Sequence, residues 1–423
     1  MHLPLSSWLE RIQENHPDKI ELGLERCADV WNRMGCPRPA PKTFTVAGTN
    51  GKGSTIAGIE SALLHLGRRV GCYTSPHLLR FEERVRVNGQ DSDEKSIIQG
   101  FEAVETAREN TRLTYFEFVT LAAIWTLYQA RLDVAILEVG LGGRLDAVNI
   151  IDADVAVITA IGIDHQEFLG NDRESIGYEK SGIMRSGQTV ICSDRQPPDS
   201  VFTVANDLNA RLIRIGADFE VSRDISPGPD HWNYYFADES VDFPVPARTP
   251  HLAENLAGAL TAVITSEAGL QDQLQALANV VASSRVRGRL EQVGSKPQII
   301  LDVGHNPLAA EAIREFLIPR QKLNCIAVLA MLRDKDAEGV VSILDNVVTR
   351  WHCAGLSGSR GQSGPDLEKR VRTVLPDAEL ESHQDVSAAI RTAMAEAGVD
   401  DTILIFGSFL TVEQATRYFQ NVE

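Results

Sequence analysis

The sequence predicts an α/β protein of two domains, each a mostly parallel sheet wound by helices. Three observations predict it. Short apolar runs rich in Val and Ile alternate with helical periodicities along most of the chain. A glycine-rich turn, Gly48-Thr49-Asn50-Gly51-Lys52-Gly53-Ser54-Thr55, separates a strand-like run from a helix-like one. The alternation then stops, and it resumes after the basic stretch Ser283-Ser284-Arg285-Val286-Arg287-Gly288-Arg289. At ~150 residues per domain, 423 residues correspond to two or three such units.

In chain order, residues 43–47 read as a buried strand, and 54–66 as a helix with apolar Ile56, Ile59, Leu63, Leu64 and Leu66. The runs 133–139 and 154–160 are nearly all apolar, as parallel strands covered on both faces must be. Helical patterns over 97–109 and 116–130 supply the crossovers. From about 193 to 250 the chain turns polar and Pro-rich, which predicts peripheral strands and loops. Helices near 251–267 and 270–282 follow. Beyond them, strands at 298–303, 324–331, 350–356 and 402–406 alternate with helices at about 308–317, 365–375 and 386–397. The expected division is 1–284 as a P-loop-containing doubly wound domain, 285–297 as linker, and 298–423 as a smaller Rossmann-like α/β domain.

Composition narrows the function. Lys plus Arg is 41 and Asp plus Glu is 58, a formal charge of −17 that disfavours indiscriminate binding to nucleic acid or anionic lipid. Hydrophobic residues at 43% and charged residues at 23% match globular enzymes rather than disordered chains. The six cysteines form no C-x-x-C pair, so neither a disulfide framework nor a zinc ribbon is expected. The absence of a leader-like start or a long apolar run predicts a cytoplasmic location.

The turn at 48–55 carries the most specific chemistry. Backbone N–H groups in such a turn curl around phosphate oxygens, and a lysine at Lys52 reaches the terminal phosphates. Only two residues separate Gly48 from Gly51, and Gly53 stands between Lys52 and the hydroxyls of Ser54 and Thr55, so the spacing is not that of a standard Walker A. Two strands end in metal-capable groups, Glu138 after 133–137 and Asp164-His165 after 155–160, and ligands of open parallel sheets collect at those ends. Carboxylate, imidazole and hydroxyl around phosphates suit Mg²⁺. Gly140-Leu141-Gly142-Gly143 lacks dinucleotide spacing. Lys180, by its surroundings in sequence, reads as a solvated helix lysine, and the acidic run 91–94 as a solvated loop before a helix.

With these motifs in view, the chain resembles the folylpolyglutamate synthase family of the Mur ligase superfamily, and its bacterial bifunctional branch in particular. The resemblance rests on 22–26, the P-loop, Thr74-Ser75-Pro76-His77-Leu78, Leu113-Thr114-Tyr115-Phe116-Glu117, residues 137–149, Asp164-His165, Glu179-Lys180-Ser181-Gly182, Gly288-Arg289, residues 302–307 and Gly407-Ser408-Phe409. It implies a Mur ligase-like fold and ATP-dependent ligation of L-glutamate to dihydropteroate and to reduced folates through an acyl phosphate. It implies that Thr49, Asn50, Gly51, Lys52, Gly53 and Ser54, with Asn255, Arg289 and Asp302, bind the nucleotide. It gives Ser75, Glu138 and His165 as ligands of Mg²⁺, held at two sites, and a monovalent cation as a further requirement. Lys52, His165 and Lys180 become the catalytic residues, Lys180 as a carbamylated lysine. Leu22, Gly23, Leu24, Thr114, Tyr115, Phe116, Glu117, Leu145, Asp146 and Ala147 become the pterin and folate surface. A monomer with no nucleic-acid or membrane partner is expected.

Two positions depart from the family pattern: Leu410 replaces a familiar His, and Gly304 replaces Ala in D-x-A-H-N-P, which is expected to loosen the local backbone. Cell-wall Mur synthetases carry a nucleotide-sugar domain before the P-loop, whereas 47 residues precede Gly48 here. A P-loop switch is disfavoured by the missing Asn-Lys-x-Asp stretch and by the second domain. Polyanionic substrates demand local positive charge, for which Arg80, Arg84, Arg86, Arg285, Arg287 and Arg289 are the candidates.

Overall fold

A computed structural model describes residues 3–14, 21, 23–35, 38–224, 231–245, 249–320 and 324–420. The chain divides into two compact units, Met1–Pro246 with His251–Arg285, and Ala247–Pro250 with Val286–Glu423.

The first unit is built on eight strands: β1 (Lys42–Ala47), β2 (Val70–Tyr73), β3 (Val85–Val87), β4 (Gln90–Asp91), β5 (Val134–Glu138), β6 (Val155–Ile158), β7 (Thr189–Cys192) and β8 (Arg211–Arg214). They lie in the order β4-β3-β2-β5-β1-β6-β7-β8. Strands β2, β5, β1, β6, β7 and β8 run parallel, and β3 and β4 are antiparallel additions at one edge. The apolar runs of the sequence become the central strands because both faces are covered. On one face Phe44, Val46, Ile136 and Val157 pack with Ile56, Ile59, Leu63, Leu256 and Leu260 from helices Lys52–His65 and Pro250–Ser266. On the other, Ala135, Leu137 and Tyr73 meet Phe101, Phe118 and Leu121 from helices Glu94–Arg108 and Tyr115–Gln129. Phe44 is fully buried, a burial that contributes about 1.5–3 kcal/mol.

Strand order fixes where ligands go. Helix Lys52–His65 carries the chain from β1 past β5 to β2, whereas the later strand β6 lies on the other side of β1. The carboxyl end of β1 is therefore the point of reversal, flanked by the ends of β5 and β6.

The Pro-rich region is more ordered than the sequence suggests. Helix Asp199–Asp207 and β8 complete the main sheet, and β9 (Phe219–Asp224), β10 (His231–Phe236) and β11 (Glu239–Asp242) form a separate antiparallel sheet. Tyr234 of β10 hydrogen-bonds through its hydroxyl to Thr261 Oγ1 at 2.8 Å, tying that sheet to helix Pro250–Ser266. Pro227-Gly228-Pro229, part of the same expectation, lies outside the described residues.

The second unit contains β12 (Glu291–Ser295), β13 (Gln298–Asp302), β14 (Cys325–Leu329), β15 (Arg350–Ala354), β16 (Leu380–His383) and β17 (Thr402–Phe406), ordered β12-β13-β17-β14-β15-β16. All pairs are parallel except β12 with β13. Thus five residues of the expected linker 285–297 form a strand, with a bulge between Gln292 and Gly294. Ile300, Leu329, Trp351, Leu404 and Phe406 build the core with Ile313, Val340, Val341 and Leu367. Among the described residues no helix is long and apolar enough to cross a membrane.

Candidate active site

The P-loop conformation follows from its glycines. Gly51 has φ 94°, and a Cβ there would lie 2.3 Å from Asn255 Oδ1; a Cβ on Gly48 would lie 1.7 Å from Thr159 Oγ1. Only glycine lets β6 and helix Pro250–Ser266 approach the loop this closely. Thr159 Oγ1 donates to the Asn50 carbonyl at 2.6 Å, Thr49 Oγ1 donates to the Gly162 carbonyl at 2.9 Å, and Gly162 N returns a bond to Thr49 Oγ1 at 3.0 Å. Thr55 Oγ1 donates to the Asn255 carbonyl at 3.3 Å. Gly53 and Ser54 fall in the first turn of helix Lys52–His65, whose amino terminus favours an anion. Lys52 Nζ folds back onto the carbonyls of Gly48 and Thr49 at 3.0 and 3.3 Å.

Glu138 closes β5 beside this loop and is buried. Its Oε2 accepts from Ser75 N at 2.9 Å, so two of the three expected metal ligands touch. His165 stands on the other side of β1, past the end of β6, with φ 51° and its amide donating to Asp164 Oδ1 at 2.8 Å. The donor set, a buried carboxylate with a serine hydroxyl and an imidazole at adjoining strand ends, fits a hard divalent cation.

The reading of Lys180 as a solvated lysine is overturned: it is 3% exposed. Its pKa is lowered to about 7, by burial first and by Lys52 second, with Asp164 and Asp146 opposing both. Asp146 is itself buried, and burial raises its pKa to about 6 despite amide bonds from Leu141, Val148 and Gly140 at 2.8, 3.0 and 3.0 Å. The loop after β5 docks on helix Arg173–Ser181 through Arg144 to Glu179 (2.7 Å) and through Asn149 Nδ2 to the carbonyls of Arg144 and Gly182 (both 3.0 Å). Lys180 lies buried near the end of that helix, and the sequence alone gives neither Asn149 nor Thr159 as a site residue. Polar residues at a strand end and in a Gly-rich loop were the only available signal.

The expected pterin-binding segments form a connected group. Thr114 caps helix Tyr115–Gln129, and Glu117 completes the capping box by accepting from Thr114 N at 2.7 Å. Arg26 Nε donates to both Glu117 oxygens at 2.8 and 2.9 Å, joining Gly23 and Leu24 to this turn. Phe116 packs its ring on Gly140, whose amide binds Asp146 beside Leu145 and Ala147. Tyr115 is largely buried, which raises the pKa of its phenol. Leu22 lies outside the described residues.

In the second unit, Asp302 ends β13 and is buried; it accepts from Leu290 N at 2.8 Å and Gly304 N at 2.6 Å. Burial raises its pKa, and Arg289 opposes that rise. Arg289 also stacks over the Phe409 ring at 5.6 Å. Gly304 is close-packed rather than loose, since a Cβ would lie 2.7 Å from Asp302 Oδ1 and 2.8 Å from the Ala309 Cβ. Leu410 is 38% exposed.

Two families match the chain: the Mur ligase middle domain over residues 46–263, and the Mur ligase glutamate ligase domain over residues 288–409. The chain is 44% identical over 413 residues to the dihydrofolate synthase/folylpolyglutamate synthase of Escherichia coli K12, covering 97% of this chain and 94% of that one. The structure superposes with a TM-score of 0.91 on E. coli FolC in complex with DHPP and ADP, at 41% identity over 99% of this chain and 98% of that one. It superposes at 0.90, with the same identity and coverage, on a bifunctional folylpolyglutamate synthase/dihydrofolate synthase with Mn, AMPPNP and L-glutamate bound.

Proposed function

The chain belongs to the dihydrofolate synthase/folylpolyglutamate synthase family of Mur ligases, and from that membership we propose an ATP-dependent ligase that joins L-glutamate to dihydropteroate and to tetrahydrofolate-type folates. The observation that carries this reading is the P-loop lysine, Lys52, set in the field of a buried second lysine, Lys180, with Asp146 and Asp164 around it. An ordinary nucleotide switch has no use for that second lysine.

The substrate carboxylate attacks the γ-phosphorus of ATP, ADP leaves, and an acyl phosphate forms. The glutamate amine then attacks the acyl carbon and phosphate leaves. Lys52 and the N–H groups of residues 49–54 neutralise charge as the phosphoryl group transfers. Ser75, Glu138 and His165 would hold Mg²⁺, which when bound supplies charge neutralisation across the phosphates. Asn255, Arg289 and Asp302 complete nucleotide binding. At a pKa of about 7, Lys180 is substantially neutral at physiological pH and can add CO₂, releasing a proton and becoming an anionic carbamate suited to a second cation. A monovalent cation is part of the same ionic requirement.

Phe116 offers an aromatic face to the pterin, with Gly23, Leu24, Tyr115, Leu145, Asp146 and Ala147 as its companions; Leu22 is assigned the same role from the family pattern alone. Thr114 and Glu117 serve it by fixing the turn that presents Phe116, since their polar atoms are engaged with each other and with Arg26. We divide the labour between 1–284, for the pterin and the P-loop contacts to nucleotide, and 298–423, for glutamate ligation. We further propose a cytoplasmic monomer; Cys27, Cys72, Cys192, Cys325 and Cys353 are all unpaired thiols in the interior, as a reducing compartment allows. One assay comparing dihydropteroate with tetrahydrofolate as acceptor tests bifunctionality: glutamylation of both is expected, and glutamylation of one alone would reduce the enzyme to a single activity.

A further inference from the structure

We infer that His352, Glu381 and His383 form a binding site for a borderline divalent transition-metal ion such as Zn²⁺, built wholly within the second unit. The inference is independent of the ligase reading.

Strand register brings the three residues together. In the parallel pair β15–β16, His352 stands opposite Glu381 and Ala354 opposite His383. Side chains two residues apart share a face of a strand, so all three project from the same side of the sheet. Strand β16 is the edge of its sheet. Their ligand atoms lie within 4.8 Å of one another. His352 Nδ1 and His383 Nε2 are 2.9 Å apart, and His383 Nε2 is 3.9 Å from Glu381 Oε1. A zinc ion with bonds of ~2.0–2.1 Å to nitrogen bridges two such nitrogens after they separate by a few tenths of an ångström.

Proton accounting favours the same conclusion. His352 Nε2 lies 3.1 Å from Glu396 Oε2. Ionised carboxylates only accept, so this ring nitrogen carries the proton and Nδ1 presents its lone pair. His383 Nε2 now donates into it; when His383 shifts its proton to Nδ1, two imidazole lone pairs and a carboxylate converge on one point, with no net proton released. The contact to Glu396 is the outer carboxylate that zinc-ligating histidines characteristically have. Charge is suitable as well. Arg350 lies 3.3 Å from Glu396 and 3.8 Å from Glu379, so its cation is compensated and the Glu381 charge remains for the metal. Glu381 is half exposed, which opens the site to solvent for entry and for completing ligands.

The test uses the full chain saturated with Mg²⁺ and ADP, so that the ligase site is filled, and titrates Zn²⁺ against a chromogenic competitor. One zinc per chain is expected. Glu381→Gln and His383→Asn should each weaken it by at least about tenfold, Glu396→Gln by about 10–100-fold, and Glu379→Gln should leave it unchanged. Because Glu381 and Glu379 are exposed, those two variants keep the fold, checked by circular dichroism and unaltered ligase turnover. Co²⁺ substitution should give visible bands that Glu381→Gln shifts or removes. No zinc retained under saturating Mg²⁺, or zinc held equally by wild type, Glu381→Gln and His383→Asn, would overturn the proposal.

Discussion

Lys52 and Lys180 are two lysines whose sequence contexts suggested different things. The P-loop announced Lys52 directly, because a glycine turn between strand and helix has few other uses. Lys52→Ala should lower turnover by about 10²–10³-fold while the circular dichroism spectrum stays native, and near-normal turnover would remove the P-loop assignment. Lys180 was illegible from composition, since Arg173, Glu174, Glu179 and Lys180 give its helix a solvated look. A distant loop is pinned beside it by Arg144 to Glu179 and Asn149 to the Gly182 carbonyl, and the lysine itself is buried. Its folded pKa of about 7 lies below the ordinary 10.5, so between those values the unfolded chain binds more protons and this lysine makes stability rise with pH. Lys180→Met should flatten that rise in a denaturation series. Only the neutral amine adds CO₂, so activity should fall as pH drops through 7 and recover on adding bicarbonate. Lys180→Met should show neither effect, at turnover about 10²-fold lower. An active enzyme whose Lys180 carries only an unmodified amine by mass spectrometry would count against the carbamate.

At the scale of elements, helix Tyr115–Gln129 begins with a motif that has a structural use of its own. Thr114 and Glu117 stand at capping-box spacing, T-x-x-E, and the structure uses them that way. Thr114→Ala should cost about 1 kcal/mol of stability and raise KM for the pterin acid more than KM for ATP. Arg26→Met should cost more, because Glu117 is only 4% exposed and would lose its cation. Equal KM effects on both substrates would contradict a role for this turn in presenting Phe116. The central strands were legible because continuous apolar runs admit few other readings. Helix Asp199–Asp207 and β8 were not, since Pro197-Pro198 and alternating polar residues mask short elements at a sheet edge. Strand β12 escaped notice for a similar reason, being exposed, bulged and interrupted by Gly294.

Across the molecule as a whole, ion pairing decides which basic residues can serve polyanionic substrates. Arg80 is held by Asp91 at 2.9 Å and Arg86 by the buried Glu60 at 2.7 Å, while Arg84 donates to His77 Nδ1 at 2.9 Å, so the front arginines are largely committed. Within the first unit, local positive charge at the P-loop comes from Lys52 and the helix amino terminus. Mg²⁺ and ADP at ~100 times the dissociation constant should stabilise the chain by about 2.7 kcal/mol, seen as a raised melting temperature, and Lys52→Ala should lose most of that shift. The central claim is coupled ligation. Release of ADP measured together with mass spectrometry of the product tests it most directly. ADP and a glutamyl amide should appear only when ATP, Mg²⁺, L-glutamate and the pterin acid are all present, and ADP formed equally well without the pterin acid, or with no amide product, would contradict it.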